Sequence, residues 1–138
     1  MSRPAQAAGE TDHMADMIAK ALALAKKRKL PQAVQLLQTE MQNCVSQQEA
    51  LRWRLALCRM LIRSKRTDLA LPHLELILKD IDIYQLHRWD PRLALEGLKL
   101  AWTVYAKHTD KEVKRNAEAV LSQIAQLDPT EALKISKR

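Results

Sequence analysis

Helix-start signals recur along this chain and constrain its fold more than any other feature. Asp90 and Asp128 are each followed by a proline, which suits the first position of a helix that the aspartate caps. Ser46 and Glu49 have the spacing of a capping box, in which the serine oxygen accepts a bond from a backbone N–H. The chain has two glycines and no phenylalanine, which disfavours a β-protein. The sequence therefore predicts an all-α fold.

The apolar residues between these signals recur every three or four positions, which is the period of one helical face. They predict about seven helices, at approximately residues 12–29, 31–44, 47–64, 67–84, 90–108, 109–127 and 128 onward, with a Thr109–Glu112 capping box at the sixth. The third is apolar around most of its circumference and is expected to be central. A weak repeat resembles tetratricopeptide-like helical hairpins. At an offset of 37 residues it pairs Leu24, Leu30, Ala33 and Leu37 with Leu61, Thr67, Ala70 and Leu74.

The 138 residues fit one α-helical domain at residues 12–138, preceded by a disordered leader or linker at residues 1–11. No apolar run approaches the length of a membrane span, and no signal-peptide core precedes the helices, so a cytoplasmic protein is expected. Cys44 and Cys58 lie in apolar helical patterns and are expected to be buried, reduced thiols.

The sequence nominates no catalytic, cofactor-binding or metal-binding site. Two glycines cannot build a phosphate loop, and the four histidines are scattered without zinc-ligand spacing. The acidic residues of the helices are spaced to pair with basic ones, as Glu75 is with Lys79. We therefore expect a protein that is not an enzyme and that uses no cofactor.

The fourth and fifth predicted helices have two apolar faces each, one more than a surface helix needs. The second faces could be enclosed within the monomer, or they could contact other subunits. We favour subunit contacts, because the third helix already occupies the most central position. The predicted oligomer interface consists of Leu69, Leu76, Ile83, Leu93, Leu100 and Val104.

Basic residues concentrate in one part of the chain. Residues 20–66 contain eleven basic and two acidic residues, so this part carries a charge of +9. The whole chain carries +7, which leaves −2 for the remaining residues. Four arginines of the third helix fall within about 60° of one another at 100° per residue. They form either a solvated face or a cationic stripe for an acidic partner. The predicted partner-binding stripe consists of Arg52, Arg59, Arg63 and Arg66.

The segment HRWDPRLAL, residues 87–95, is interpreted as a structural joint between two helices. Asp90 would cap the following helix and Pro91 would occupy its first position. Trp89 precedes the cap, where it could pack against Leu95 as a hydrophobic staple.

Four motifs in this order resemble the C-terminal domain of the TssA family (the VasJ/ImpA group) of bacterial type VI secretion. They are Trp53 followed by LAL at residues 55–57, LALPHLE at 69–75, WDPRLAL at 89–95 and LDPTEAL at 127–133. The resemblance spans residues 51–135. The family's larger N-terminal domain is missing, so the chain is expected to be the C-terminal domain of a longer protein.

The resemblance implies a cytoplasmic, non-enzymatic assembly component of the tail and baseplate. Such proteins form rings of hexameric order, single or stacked, that prime or cap the tail tube and sheath. Their partners include the tail tube protein Hcp, the TssB/TssC sheath, and baseplate and membrane-complex components. Two alternatives remain from the residues themselves: a monomeric tetratricopeptide-like adaptor and a basic nucleic-acid-binding domain. Nucleic acid is disfavoured because no aromatic residues are interleaved with the arginines.

Overall fold

A computed structural model describes the backbone of residues 3–137 and the side chains of residues 13–137. Within that range it contains eight helices and no strand, which confirms the all-α prediction. The helices are α1 Arg3–Lys26, α2 Leu30–Asn43, α3 Gln47–Arg63, α4 Thr67–Ile83, α5 Leu86–Trp89, α6 Pro91–Tyr105, α7 Lys111–Leu127 and α8 Pro129–Ser136.

The start of α1 and one additional helix differ most from the sequence-based prediction. Helix α1 begins at Arg3 instead of about residue 12, so it includes part of the segment expected to be a leader or linker. Alanine has the highest helix propensity, and Ala5, Ala7 and Ala8 lie in this first part of α1. The additional helix is α5, a single turn that follows Gln85, whose backbone is left-handed with φ of 50°.

By its contacts the chain divides into two compact units, residues 1–66 and residues 67–138. The sequence predicts one domain over residues 12–138, which includes parts of both units. In the first unit, α2 packs against both α1 and α3. In the second, α6 packs against α4, α5 and α7, and α7 packs against α8. Helices that are close in sequence are therefore the ones in contact, as expected for short connections.

The core of the first unit is built mainly by α3. Eight of its residues are buried, and they lie around most of the helix circumference. Trp53 is 2% exposed, and the His13 ring of α1 contacts it edge-on at a centroid distance of 6.4 Å. His13 Nε2 also lies 3.1 Å from Glu40 Oε2 of α2. These contacts tie the first two helices and α3 together.

The core of the second unit is built around α6, which has seven buried residues. Among the buried side chains of its neighbours are Leu74 and Ile77 of α4 and Ile124 of α7, all fully enclosed. An ion pair of 3.0 Å between Lys99 Nζ and Glu131 Oε2 links α6 to α8. The Lys99 ammonium holds the pKa of the Glu131 carboxyl below its usual range.

Most of the predicted helix caps are present. The Ser46 Oγ accepts from the Glu49 backbone N–H at 3.0 Å, and Asp90 Oδ1 accepts from Leu93 N–H at 3.3 Å. Asp128 Oδ1 likewise accepts from the N–H three residues later, at 3.1 Å. These contacts satisfy helix N–H groups that have no partner within the helix.

The cap of α7 differs from the prediction. Asp110, one residue after Thr109, is the N-cap, and its Oδ1 accepts from the Glu112 N–H at 2.8 Å. The Asp110 N–H itself donates to His108 Nδ1 at 3.0 Å. A carboxylate is favoured at the positive end of the helix dipole, which explains why aspartate takes the position in preference to threonine.

The 37-residue repeat has a structural counterpart in two helix ends. Arg28 and Lys65 have left-handed backbones, with φ of 62° and 61°. After each of them the next N–H bonds back across the helix end, from Lys29 to the Leu24 carbonyl at 2.9 Å and from Arg66 to the Leu61 carbonyl at 2.8 Å. The same reversal therefore ends α1 and α3, with a basic side chain where glycine is usual.

Lys65→Gly is expected to raise the free energy of unfolding by up to about 1 kcal/mol, because glycine adopts the left-handed conformation without the steric cost of a Cβ atom. Urea denaturation followed by circular dichroism measures the change. Lys27→Gly is the matched control, because Lys27 lacks the positive φ, and it should not stabilise the protein. Equal effects at the two positions would contradict this account.

Candidate functional site: two contact surfaces

An apolar row runs along the outside of α4. Leu69 and Leu76 are each 44% exposed and Ile83 is 63% exposed, although all three are large apolar residues. They are seven residues apart, close to two helical turns, and therefore lie on one face. The opposite side of α4 is buried in the core of the second unit. We call Leu69, Leu76 and Ile83 the α4 row.

The second face predicted for α6 is not available for subunit contacts. Leu93 is 4% exposed and Val104 is 6% exposed, so both belong to the core of their own unit. Leu100 is half-buried. The difference arises because α4, α5 and α7 all pack against α6, and one apolar face cannot meet three neighbours. Three of the six predicted interface residues, those of the α4 row, are therefore exposed.

The predicted arginine stripe is exposed but is shorter than expected. Arg52, Arg59 and Arg63 are exposed along α3. Arg66 is also exposed but follows the left-handed Lys65 beyond the end of α3, so it no longer continues the helical face. Arg52, Arg59 and Arg66 also interact with other groups of the protein, which leaves the face cationic but partly engaged.

The joint at residues 89–91 has the expected cap and an unexpected surface. Asp90 caps α6 and Pro91 begins it. The Trp89 side chain, however, is 82% exposed, whereas a staple against Leu95 requires a packed indole. The one-turn α5 explains the difference, because it anchors the chain through the buried Leu86 and leaves Trp89 at its end.

A cationic notch, which the sequence did not predict, opens in the first unit between the end of α1 and the end of α3. Its volume is about 530 Å³. Its apolar lining comes from Leu22, Ala25, Leu30 and Met60, and its charged lining from Lys26, Arg28 and Arg63. The basic run at residues 26–29 was the available signal. Its proximity to Arg63 depends on the fold of the unit.

A smaller recess of about 310 Å³ lies in the second unit. Its lining is mixed, with apolar, amide and acidic side chains and one imidazole. The residues are Ile81, Asp82, His87, Leu98, Gln123, Gln126 and Leu127.

The two thiols differ in burial, and neither forms a disulfide. Cys58 is buried, as expected, and its burial raises the pKa of the thiol to about 12. Cys44, at the end of α2, is only half-buried, contrary to expectation. Burial, followed by the nearby Glu49 carboxylate, raises the pKa of the Cys44 thiol as well. Both shifts favour the protonated thiol over the reactive thiolate.

Cys58 is expected to make the protein sensitive to alkali. Below its ordinary pKa of 9.0 the thiol is protonated in both states; above it, the unfolded chain loses the proton while the folded chain keeps it up to about pH 12. The free energy of unfolding should therefore fall by about 1 kcal/mol between pH 8 and pH 10 through this group. Urea denaturation at both pH values should show that Cys58→Ala removes this decline. A decline of the same size in that variant would contradict the assignment.

No group of three histidine, cysteine or acidic side chains that could hold a metal ion occurs in the part of the chain described by the structure. Over the same residues, no helix combines the length and apolar character needed to cross a membrane.

Exposed apolar patches are typical of surfaces that contact other proteins, and arginine is enriched in such surfaces. The class of protein indicated by these surfaces is a helical contact module. Residues 1–101 match the family model described as Type VI secretion, EvfE, EvfF, ImpA, BimE, VC_A0119, VasJ. The chain belongs to this family of structural assembly components of type VI secretion, which confirms the TssA-related resemblance. The motifs up to residue 95 lie within the matched range, and the motif at 127–133 lies beyond it. The matched range includes the α4 row and the cationic notch. No curated protein and no solved structure matches the chain.

Proposed function

We propose that this chain is a structural subunit of the type VI secretion tail that associates with copies of itself through the α4 row. The observation that carries the proposal is the row itself, three large apolar side chains left exposed on one face of a folded helix. Complete burial of a leucine or isoleucine side chain contributes about 1.5–3 kcal/mol, so covering the exposed part of each contributes about 1 kcal/mol.

The assembly we propose is a closed ring of hexameric order, single or stacked. A contact between two different surfaces of identical chains produces either a closed ring or an open filament. Closure is consistent with a component that primes or caps the tail tube and sheath. The order of the ring rests on the resemblance to the TssA family.

The partners proposed for the ring are the tail tube protein Hcp, the TssB/TssC sheath, and baseplate and membrane-complex components, in the bacterial cytoplasm. Arg52 and Arg59 support this part of the proposal, because they expose positive charge along α3. A ring repeats these charges in every subunit, which strengthens the field that an acidic partner meets. The proposed role of the stripe is to bind an acidic surface of one of these components.

Arg52→Glu combined with Arg59→Glu is expected to abolish binding of that component and to leave the assembly intact. Binding is measured on surface-immobilised Hcp and TssB/TssC. Raised salt should weaken the binding of the unmodified protein, because exposed charges are screened over about 8 Å at physiological ionic strength. Arg92→Glu combined with Arg115→Glu makes the same change in charge at exposed positions of the second unit and is the control. Unchanged binding by the α3 variant would refute the role of the stripe.

The function as a whole is tested by secretion in the source bacterium. Deletion of the gene should stop release of Hcp into the medium, and the unmodified gene should restore release. A gene carrying Leu76→Asp should not restore it, although the protein accumulates. Normal Hcp release from the deletion strain would contradict a role in tail assembly.

A further inference from the structure

The cationic notch combines an apolar floor with positive charges on its edge. The end of α1 supplies Lys26 and Arg28, and the end of α3 supplies Arg63, all three of them exposed. Leu22, Leu30 and Met60 lie between them. A surface of this kind complements a segment that carries large apolar side chains next to carboxylates.

The chain contains such a segment at the end of α4. Ile83 is 63% exposed and Tyr84 is 45% exposed, and they are consecutive. Asp80 and Asp82 lie in the last turn of α4, which contains no basic residue. The other exposed large apolar residues of the described chain, Val45, Leu69, Leu76, Trp89 and Leu133, do not adjoin one another in sequence. We call residues 80–84 the α4 tip.

The last turn of α4 also combines negative charges without a cation of its own. The C-terminal end of a helix carries partial negative charge from its last carbonyl groups, and carboxylates in the last turn add to it. Cations are favoured at this position. Cations supplied by another molecule would therefore stabilise the tip, just as the apolar floor of the notch would cover Ile83 and Tyr84.

We propose that the α4 tip of one copy docks in the cationic notch of the next copy. Ile83 and Tyr84 pack on the floor of the notch, and Asp80, three residues before Ile83 and on its side of the helix, faces Lys26, Arg28 and Arg63. Asp82 lies on the other side of α4 and adds to the negative charge of the tip. The inference rests on the proposed self-association and specifies its second surface. Because tip and notch are different surfaces, each copy uses one of each, and the contact is of the head-to-tail type that a ring requires.

Charge reversal tests the pairing. The notch variant is Lys26→Glu with Arg28→Glu, the tip variant is Asp80→Lys with Asp82→Lys, and a third protein carries all four changes. Sedimentation velocity of each full chain measures assembly, and circular dichroism verifies the fold. Each reversed surface should lower the association constant at least about tenfold, because like charges then repel each other. The protein with all four changes should regain the association constant of the unmodified chain. Lys111→Glu with Lys114→Glu, exposed residues of α7, is the control for the notch variant.

The outcomes separate this inference from the proposed self-association. If the notch and tip variants assemble like the unmodified chain, while Leu76→Asp does not assemble, the inference fails and the self-association stands. The inference is also overturned if the notch and tip variants assemble weakly and the protein with all four changes does not recover. The two surfaces would then not be partners. An unmodified chain that remains single would overturn both proposals.

Discussion

Leu76→Asp is expected to convert the assembly into folded single chains. In the single chain this position is 44% exposed, so the aspartate is hydrated and the fold loses little. In the proposed assembly the row is covered, and a buried carboxylate without a partner costs several kcal/mol at every contact. Size-exclusion chromatography with light scattering measures the mass, and thermal unfolding followed by circular dichroism measures the fold.

Leu133→Asp is the matched control for this change. It makes the same substitution at an exposed leucine of α8, outside the row. The control should retain the mass of the unmodified assembly. If Leu76→Asp also retained that mass, the α4 row would not be the contact between subunits.

Trp53→Ala should have the largest effect on stability, about 3–5 kcal/mol. The side chain is 2% exposed, and its removal leaves a cavity in the core of the first unit and ends the edge-on contact with His13. Because domains are stable by only about 5–15 kcal/mol, such a loss removes a large part of the total. Urea denaturation followed by circular dichroism measures it without relying on tryptophan fluorescence.

Trp89→Ala provides the comparison within the same chain. Its indole is 82% exposed, so its removal should change the free energy of unfolding by no more than about 0.5 kcal/mol. Similar losses at the two tryptophans would contradict the burial of Trp53 or the exposure of Trp89.

Local features of the fold could be predicted from the sequence because their causes are local. The caps at Ser46, Asp90 and Asp128 depend on residues three positions apart, and all three are present. The shift of the α7 cap to Asp110 is an error of one residue between two adjacent capping side chains. That Leu69, Leu76 and Ile83 share one face of α4 also follows from spacing alone, since they recur every seven positions.

Features that depend on tertiary packing could not be predicted in this way. A second apolar face shows that a helix needs another neighbour, but not whether that neighbour belongs to the same chain. Leu93 and Val104 are covered by helices of their own unit, whereas Leu76 is not. The cationic notch joins two helix ends that are 37 residues apart in sequence, and no local pattern places Arg28 beside Arg63.

The most direct test of the account is the molar mass of the unmodified chain in solution. Size-exclusion chromatography with light scattering at micromolar concentration should give one discrete species of hexameric order, a multiple of the 15.8 kDa of the single chain. Its mass should remain constant over a range of dilutions, as expected for a closed ring. A mass near 15.8 kDa would contradict self-association through the α4 row.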